Sequence, residues 1–266
     1  MGIDQSDSPP MSAEACVIVV PCYNEAARLD VDAFTAFARH DSTCRFVFVD
    51  DGSRDATAEV LSRLCETAPD RFRMMAMGKN CGKAEAVRQG VLSAMDRSAR
   101  FVGYWDADLA TPLDAIASLR QVLEERPEVR IVLGSRVRLL GRRIERRAAR
   151  HYMGRLFATA ASLVLNLPVY DTQCGAKVFR VTEETRQLFS EPFGASWAFD
   201  VELLARYLAV HGRPAAESPW FGLYEVPLDR WQDVAGSKLS LSGALTAFRG
   251  LGYVYRRYRN GGSPNG

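Results

Sequence analysis

The chain has 266 residues, 47% of them hydrophobic and 25% charged, with a formal net charge of +2. These values fit one large soluble domain and exclude a global affinity for nucleic acid. Its longest weakly polar stretch, Leu156–Leu167, falls short of the ~20 residues that span a bilayer. The cysteines form no C-x-x-C pair and the histidines do not cluster with them, which predicts a reduced, cytosolic protein without structural zinc.

Residues 1–13 and 259–266 read as disordered ends, rich in Ser, Pro, Asn and Gly, around a single domain over 14–258. Cys16–Val20 is a β-branched strand ended by Pro21, and Asn24-Glu25 opens a helical stretch to about Arg39. Arg45–Val49 is a second strand, followed by Asp50-Asp51-Gly52-Ser53 and a helix from about Asp55 to Thr67. A short third strand, Arg73–Met77, leads through Gly78–Lys83 into a helix reaching about Asp96. Phe101–Trp105 is the fourth strand, after which come Asp106-Ala107-Asp108 and a helix from about Pro112 to Glu125 with its proline in the first turn. Arg130–Gly134 is the fifth. This alternation predicts an α/β fold, a mainly parallel sheet with helices on both faces.

In a parallel sheet all carboxyl ends lie on one side, so the polar groups that follow these strands line a common crevice. Asp106 and Asp108, one residue apart, can share Mg²⁺ or Mn²⁺ and leave coordination positions for phosphate oxygens. An isolated D-x-D reads more simply as a solvated turn; here the convergence of five strand ends favours the metal reading. Asp50 and Asp51 can form the turn or cap the next helix, and can equally accept hydrogen bonds from a ribose or a base. Lys83 can offset phosphate charge as a compact ammonium or stand at a helix start as a surface lysine. Neither G-x-G-x-x-G nor G-x-x-x-x-G-K-[ST] occurs, which weighs against NAD-type or P-loop binding.

With Val17–Glu25, Val49–Thr57, Asn80–Lys83 and Asp106–Asp108 in this order and spacing, the chain resembles family 2 glycosyltransferases of the GT-A, Rossmann-like fold from about Ala15 to about Leu245. Through Gly134-Ser-Arg136, Asp171–Arg180, Phe199–Glu202 and Gly236–Leu239 it is most similar to the dolichyl- or polyprenyl-phosphate sugar synthases. The resemblance implies a nucleotide-sugar half, 14–135, and an acceptor half, 136–258, with a C-terminal helical acceptor region. It implies donor contacts at Pro21, Tyr23, Glu25, Asp50, Asp51, Lys83, Asp106 and Ala107, with Mg²⁺ or Mn²⁺ on Asp106 and Asp108. Ala110 stands where some members carry a further Gln ligand, so this metal relies on fewer side chains.

Between Arg136 and Arg155 stand eight arginines against the single acid Glu145, beside the apolar, helix-prone Tyr152–Leu167. A solvated basic face explains such a run as well as an anionic membrane surface or a lipid phosphate does. Residues 239–259 again mix apolar, aromatic and Arg residues, and a core-packing helix is the favoured reading over a membrane helix. Peripheral attachment at a cytoplasmic membrane face is the expectation.

The implied reaction is inverting transfer of a hexose from UDP-glucose or GDP-mannose to a polyprenyl phosphate. Its catalytic set is Asp108, Arg136, Lys177 and Asp200, and its acceptor contacts are Arg136, Arg150, Gln173, Lys177 and Lys238. An acceptor phosphate is ionised near pH 7 and needs no strong base; for an alcohol acceptor, Asp200 or Glu202 is the base candidate. Gln173-Cys174-Gly175, Trp231 and Gly236-Ser-Lys238 look nearer the glucosyl branch, which favours glucose over mannose. The same donor chemistry on a soluble or protein acceptor, and a non-catalytic nucleotide-sugar-binding module, are the alternatives.

Overall fold

Runs of Val, Ile and Phe that bury completely on both faces form the centre of the sheet, as parallel strands covered by helices require. The computed structural model describes residues 16–96, 99–146, 148–211, 222–234 and 241–258, the side chains of 148–151 and 241–245 excepted. The ends expected to be disordered lie outside the described residues, as do Lys238 and the side chain of Arg150.

In chain order the elements are β1 (Cys16–Cys22), α1 (Val31–His40), β2 (Cys44–Asp50), α2 (Thr57–Thr67), β3 (Phe72–Ala76), α3 (Lys83–Met95), β4 (Phe101–Trp105), α4 (Ala115–Glu125) and β5 (Ile131–Ser135). The second half adds β6 (Arg143–Glu145), α5 (Ala148–Leu165), β7 (Ala176–Arg180), α6 (Glu183–Ser190), α7 (Phe199–His211), β8 (Leu223–Pro227), β9 (Arg230–Gln232) and α8 (Leu241–Tyr258). Seven strands form one sheet in the order β3-β2-β1-β4-β7-β5-β8, and β6 pairs with β9 in a separate parallel ribbon.

Alternating side chains divide the core. Val17, Val19, Val47 and Val49 face the side covered by α3 and the second-half helices. Ile18, Val20, Phe46 and Phe48 face α1, α2 and α4. There Phe34 of α1 meets Phe46 and Phe48 edge-on, at centroid distances of 5.3 and 5.0 Å. Helices therefore cover both faces, as the strand–helix alternation predicts.

The structure departs from the sequence expectation in two places. The first helix starts at Val31 rather than near Asn24, because Asn24 takes a left-handed φ of 55° and Asp30 caps the helix by accepting from Ala33 N at 2.9 Å. β7 runs antiparallel to both β4 and β5, against the otherwise parallel sheet, and sets Ala176 opposite Trp105. This reversal brings the segment just before β7 to the carboxyl end of β4.

Ala247, Leu251, Val254 and Tyr258 of α8 are buried against the neighbouring helices, so this face packs into the core. No described helix is long and apolar enough to cross a membrane. All six cysteines carry free thiols.

Candidate active site

The sheet order reverses direction between β1 and β4, and the loops after these two strands open the crevice where ligands bind in open α/β sheets. The loop after β1 is laced to the loop after β2. Asn24 N donates to Ser53 Oγ at 3.0 Å, Arg54 N to Asn24 Oδ1 at 2.8 Å and Glu25 N to Thr57 Oγ1 at 2.8 Å. Glu25 also meets Arg28 at 2.5 Å. The Asn24 and Glu25 amides are thus satisfied by side chains of the second loop, and the segment is held as a turn.

Asp50 and Asp51 divide the roles open to them. Asp50 Oδ1 accepts from Ser53 N at 3.1 Å and shapes the turn. Asp51 accepts from Cys81 N at 2.7 Å and Gly82 N at 2.8 Å, and so holds the loop before α3 against the end of β2. Gly52 sits where they meet at a φ of +66°, and a Cβ there would lie 2.5 Å from the backbone carbon of Lys79. Only glycine fits that conformation and that approach.

Lys83, the first residue of α3, donates to Asp106 Oδ1 at 2.5 Å. Burial works against its ammonium, but Asp106, Asp200 and Asp108 outweigh it and hold the pKa above its ordinary value. Asp108 accepts from Ala110 N at 3.1 Å. Burial, and then the charge of Asp106, push its carboxyl above the usual carboxylate range. The loop is fixed by Trp105 Nε1, which donates to Thr111 O at 2.7 Å, and by Gln232 N, which donates to Ala110 O at 3.0 Å.

Two neighbouring carboxylates, one of them bonded by Lys83, are hard oxygen donors of the kind a divalent cation takes. Among the described residues no cluster of three or more His, Cys, Asp or Glu could hold a metal. A cation held by Asp106 and Asp108 would take its remaining ligands from phosphate oxygens and water.

At the end of β5, Arg136 bonds Asp171 through Nε at 2.6 Å and Nη2 at 2.8 Å, and its backbone N reaches the same carboxylate at 3.1 Å. Burial works against the guanidinium charge, but Asp171 outweighs it and raises the pKa. Burial likewise pushes Asp171 up, and Arg136 more than reverses this. Glu225 of β8 accepts from Tyr170 N and Asp171 N at 2.8 Å each, which orients that carboxylate. The Arg136 guanidinium stands 5.4 Å from the Trp231 ring centroid, and Arg146 stands 5.6 Å from it.

Three expected acceptor or base residues are not at an open site. Lys177 is wholly buried and donates to Asp200 Oδ1 and Cys174 O, both at 2.6 Å. Asp200 also accepts from the Tyr104 hydroxyl and is 4% exposed. Glu202 is buried and accepts from Ala195 N at 2.7 Å and Arg206 Nη2 at 2.8 Å. A buried ammonium needs a paired carboxylate, and that need, rather than a substrate phosphate, accounts for Lys177.

Gln173 lies in the turn between Asp171 and β7, its N donating to Asp171 Oδ1 at 3.2 Å. The site also holds residues that the sequence did not single out. Arg146 shares Trp231 with Arg136, and Glu225 orients Asp171; the basic run signalled the first, and nothing local signalled the second.

Residues 17–184 match the model of glycosyl transferase family 2. The chain belongs to that family. A dolichyl-phosphate beta-glucosyltransferase from Drosophila melanogaster is 35% identical over 255 residues, covering 88% of this chain and 71% of that protein. One from Homo sapiens is 31% identical over 242 residues, covering 84% and 68%. The chain thus spans about two thirds of the length of these curated relatives.

Among solved structures, the glycosyltransferase is similar to glucosyl-3-phosphoglycerate synthase from Mycobacterium tuberculosis with Mn²⁺, UDP-glucose and phosphoglyceric acid. The TM-score is 0.63 at 16% identity, over 92% of this chain and 82% of that one. A mannosyltransferase from Pyrobaculum calidifontis with GDP-mannose and Mn²⁺ gives 0.60 at 19% identity, over 98% and 69%. At these identities the likeness shows the GT-A fold.

Proposed function

We propose that this glycosyltransferase moves glucose from UDP-glucose, with inversion, to a dolichyl or other polyprenyl phosphate. The observation that carries the reading is the pairing at one sheet edge of Asp106 and Asp108 with the fixed guanidinium of Arg136, whose charge Asp106 helps to hold. The relatives' names support the sugar and the acceptor class.

Asp106 and Asp108 would hold Mg²⁺ or Mn²⁺, which would supply positive charge against the diphosphate of the donor. Lys83 adds its ammonium on the same side. Pro21, Tyr23, Glu25, Asp51 and Ala107 line the donor side, with Asp50 supporting the turn beneath. Arg136 orients an acceptor phosphate, its plane fixed by Asp171 and Trp231, and Gln173 stands in the adjoining turn. Asp200 and Glu202 are engaged in buried ion pairs, which disfavours an alcohol acceptor that needs either as a base and favours a phosphate already ionised.

The acceptor then comes from a bilayer. Leu139 and Leu140, together with Tyr152, Leu156 and Leu163 along α5, are exposed beside the basic run. Apolar and basic residues together suit the cytoplasmic surface of an anionic membrane, and the free thiols accord with that compartment.

The test is transfer of labelled glucose or mannose from UDP-glucose or GDP-mannose to a short polyprenyl phosphate, with and without EDTA. A glucosylated lipid that disappears with the metal is expected. Donor hydrolysis without lipid product would move the search to soluble acceptors, and preference for GDP-mannose would overturn the sugar. In the same assay Arg136→Lys, which gives up the two-pronged bond to Asp171 that fixes the guanidinium, should raise the KM for the lipid phosphate about tenfold with little change for UDP-glucose.

A further inference from the structure

Gly175 is buried immediately before β7. Its φ lies outside the left-handed region that Gly52, Gly82, Gly141 and Gly222 occupy, so its backbone does not require glycine. Space does. A Cβ on Gly175 would stand 1.9 Å from Asp106 Oδ2 and 2.2 Å from its Cγ. Asp106 N donates to Gly175 O at 3.1 Å. The approach is held from below, where Lys177 Nζ binds the carbonyl of Cys174. The Asp106 carboxylate therefore lies against bare backbone on one side, with Lys83 bonded to its Oδ1.

We infer that Gly175 is a positioning residue for Asp106. The missing side chain sets the orientation in which that carboxylate meets a divalent cation. The inference rests on the reading of Asp106 and Asp108 as the cation site. A methyl group at 175 meets the free end of a rotatable side chain, whereas β4 and β7 are locked by their ladder from Phe101↔Arg180 to Trp105↔Ala176. The carboxylate turns before the strands part, so the change falls on the metal and not on the fold.

Mn²⁺ binding in the presence of UDP, read from the electron paramagnetic resonance of free Mn²⁺, tests this beside the thermal unfolding midpoint. Gly175→Ala should weaken Mn²⁺ binding at least about tenfold while the midpoint moves by no more than about 2 °C. Asp106→Asn is the control. If it binds Mn²⁺ as wild type does, the cation site itself is wrong. If it loses binding and Gly175→Ala does not, the positioning role is overturned. Should Gly175→Ala unfold, the change is repeated in Asp106→Ala. Stability equal to that single variant supports the contact, and an undiminished loss overturns it.

Discussion

Asp108→Asn is expected to slow glucose transfer about a thousandfold, the loss of several kcal/mol of charge stabilisation, and to leave the unfolding midpoint nearly unchanged. The two halves of this expectation share one cause. Burial and the neighbouring Asp106 already push the Asp108 carboxyl above the usual range, so its negative charge is held at a cost that the neutral amide removes. An asparagine Oδ1 can still accept from Ala110 N, which keeps the loop in place. What goes is half the charge that draws a cation to the diphosphate. Single-turnover transfer and thermal unfolding on the same preparation decide it. A rate within tenfold of wild type would remove Asp108 from the metal site.

Lys177→Met should do the opposite, lowering the unfolding midpoint by about 10 °C. Lys177 is wholly buried, and its ammonium bonds Asp200 at 2.6 Å. Removing one partner strands the other charge in the core, typically at about 3–5 kcal/mol; for a domain of this size each kcal/mol shifts the midpoint by about 2–4 °C. The Tyr104 hydroxyl still donates to Asp200 but brings no charge. Lys177→Met with Asp200→Leu, which buries no unpaired ion, should recover much of the loss. Unchanged stability with a raised KM for the lipid phosphate would instead return Lys177 to the acceptor site.

β1, β2, β4 and β5 were legible because each is buried on both faces and reads as a nearly continuous apolar run, whereas β3, at the sheet edge, buries only Phe72. Their carboxyl ends follow from parallel geometry, which is why Asp51, Asp106 and Asp108 emerge on one side of the sheet. Less legible was whatever depends on distant partners. Asn24 looks like a helix start, but Ser53 and Thr57, about thirty residues on, supply the bonds that hold 24–26 in a turn. Lys177 looks like a phosphate ligand because a lysine inside a strand seldom reads as core; its carboxylate partner arrives 23 residues later. Gly175 is one glycine among 20, and its meaning is visible only in the pairing of β4 with β7.

That pairing also bears on how the chain must fold. β5 has only β7 and β8 as neighbours, and both follow it in the chain. On emergence from the ribosome β5 therefore has no strand to join, and β4 presents an open, fully apolar edge until residues 176–180 arrive. A fragment cut after Ser135 would keep the donor-side loops yet expose that edge, a template for aggregation. The segments before and after Ser135 are therefore not separable folding units, and closure of the sheet through β7 is a late, long-range event of the kind that slows folding.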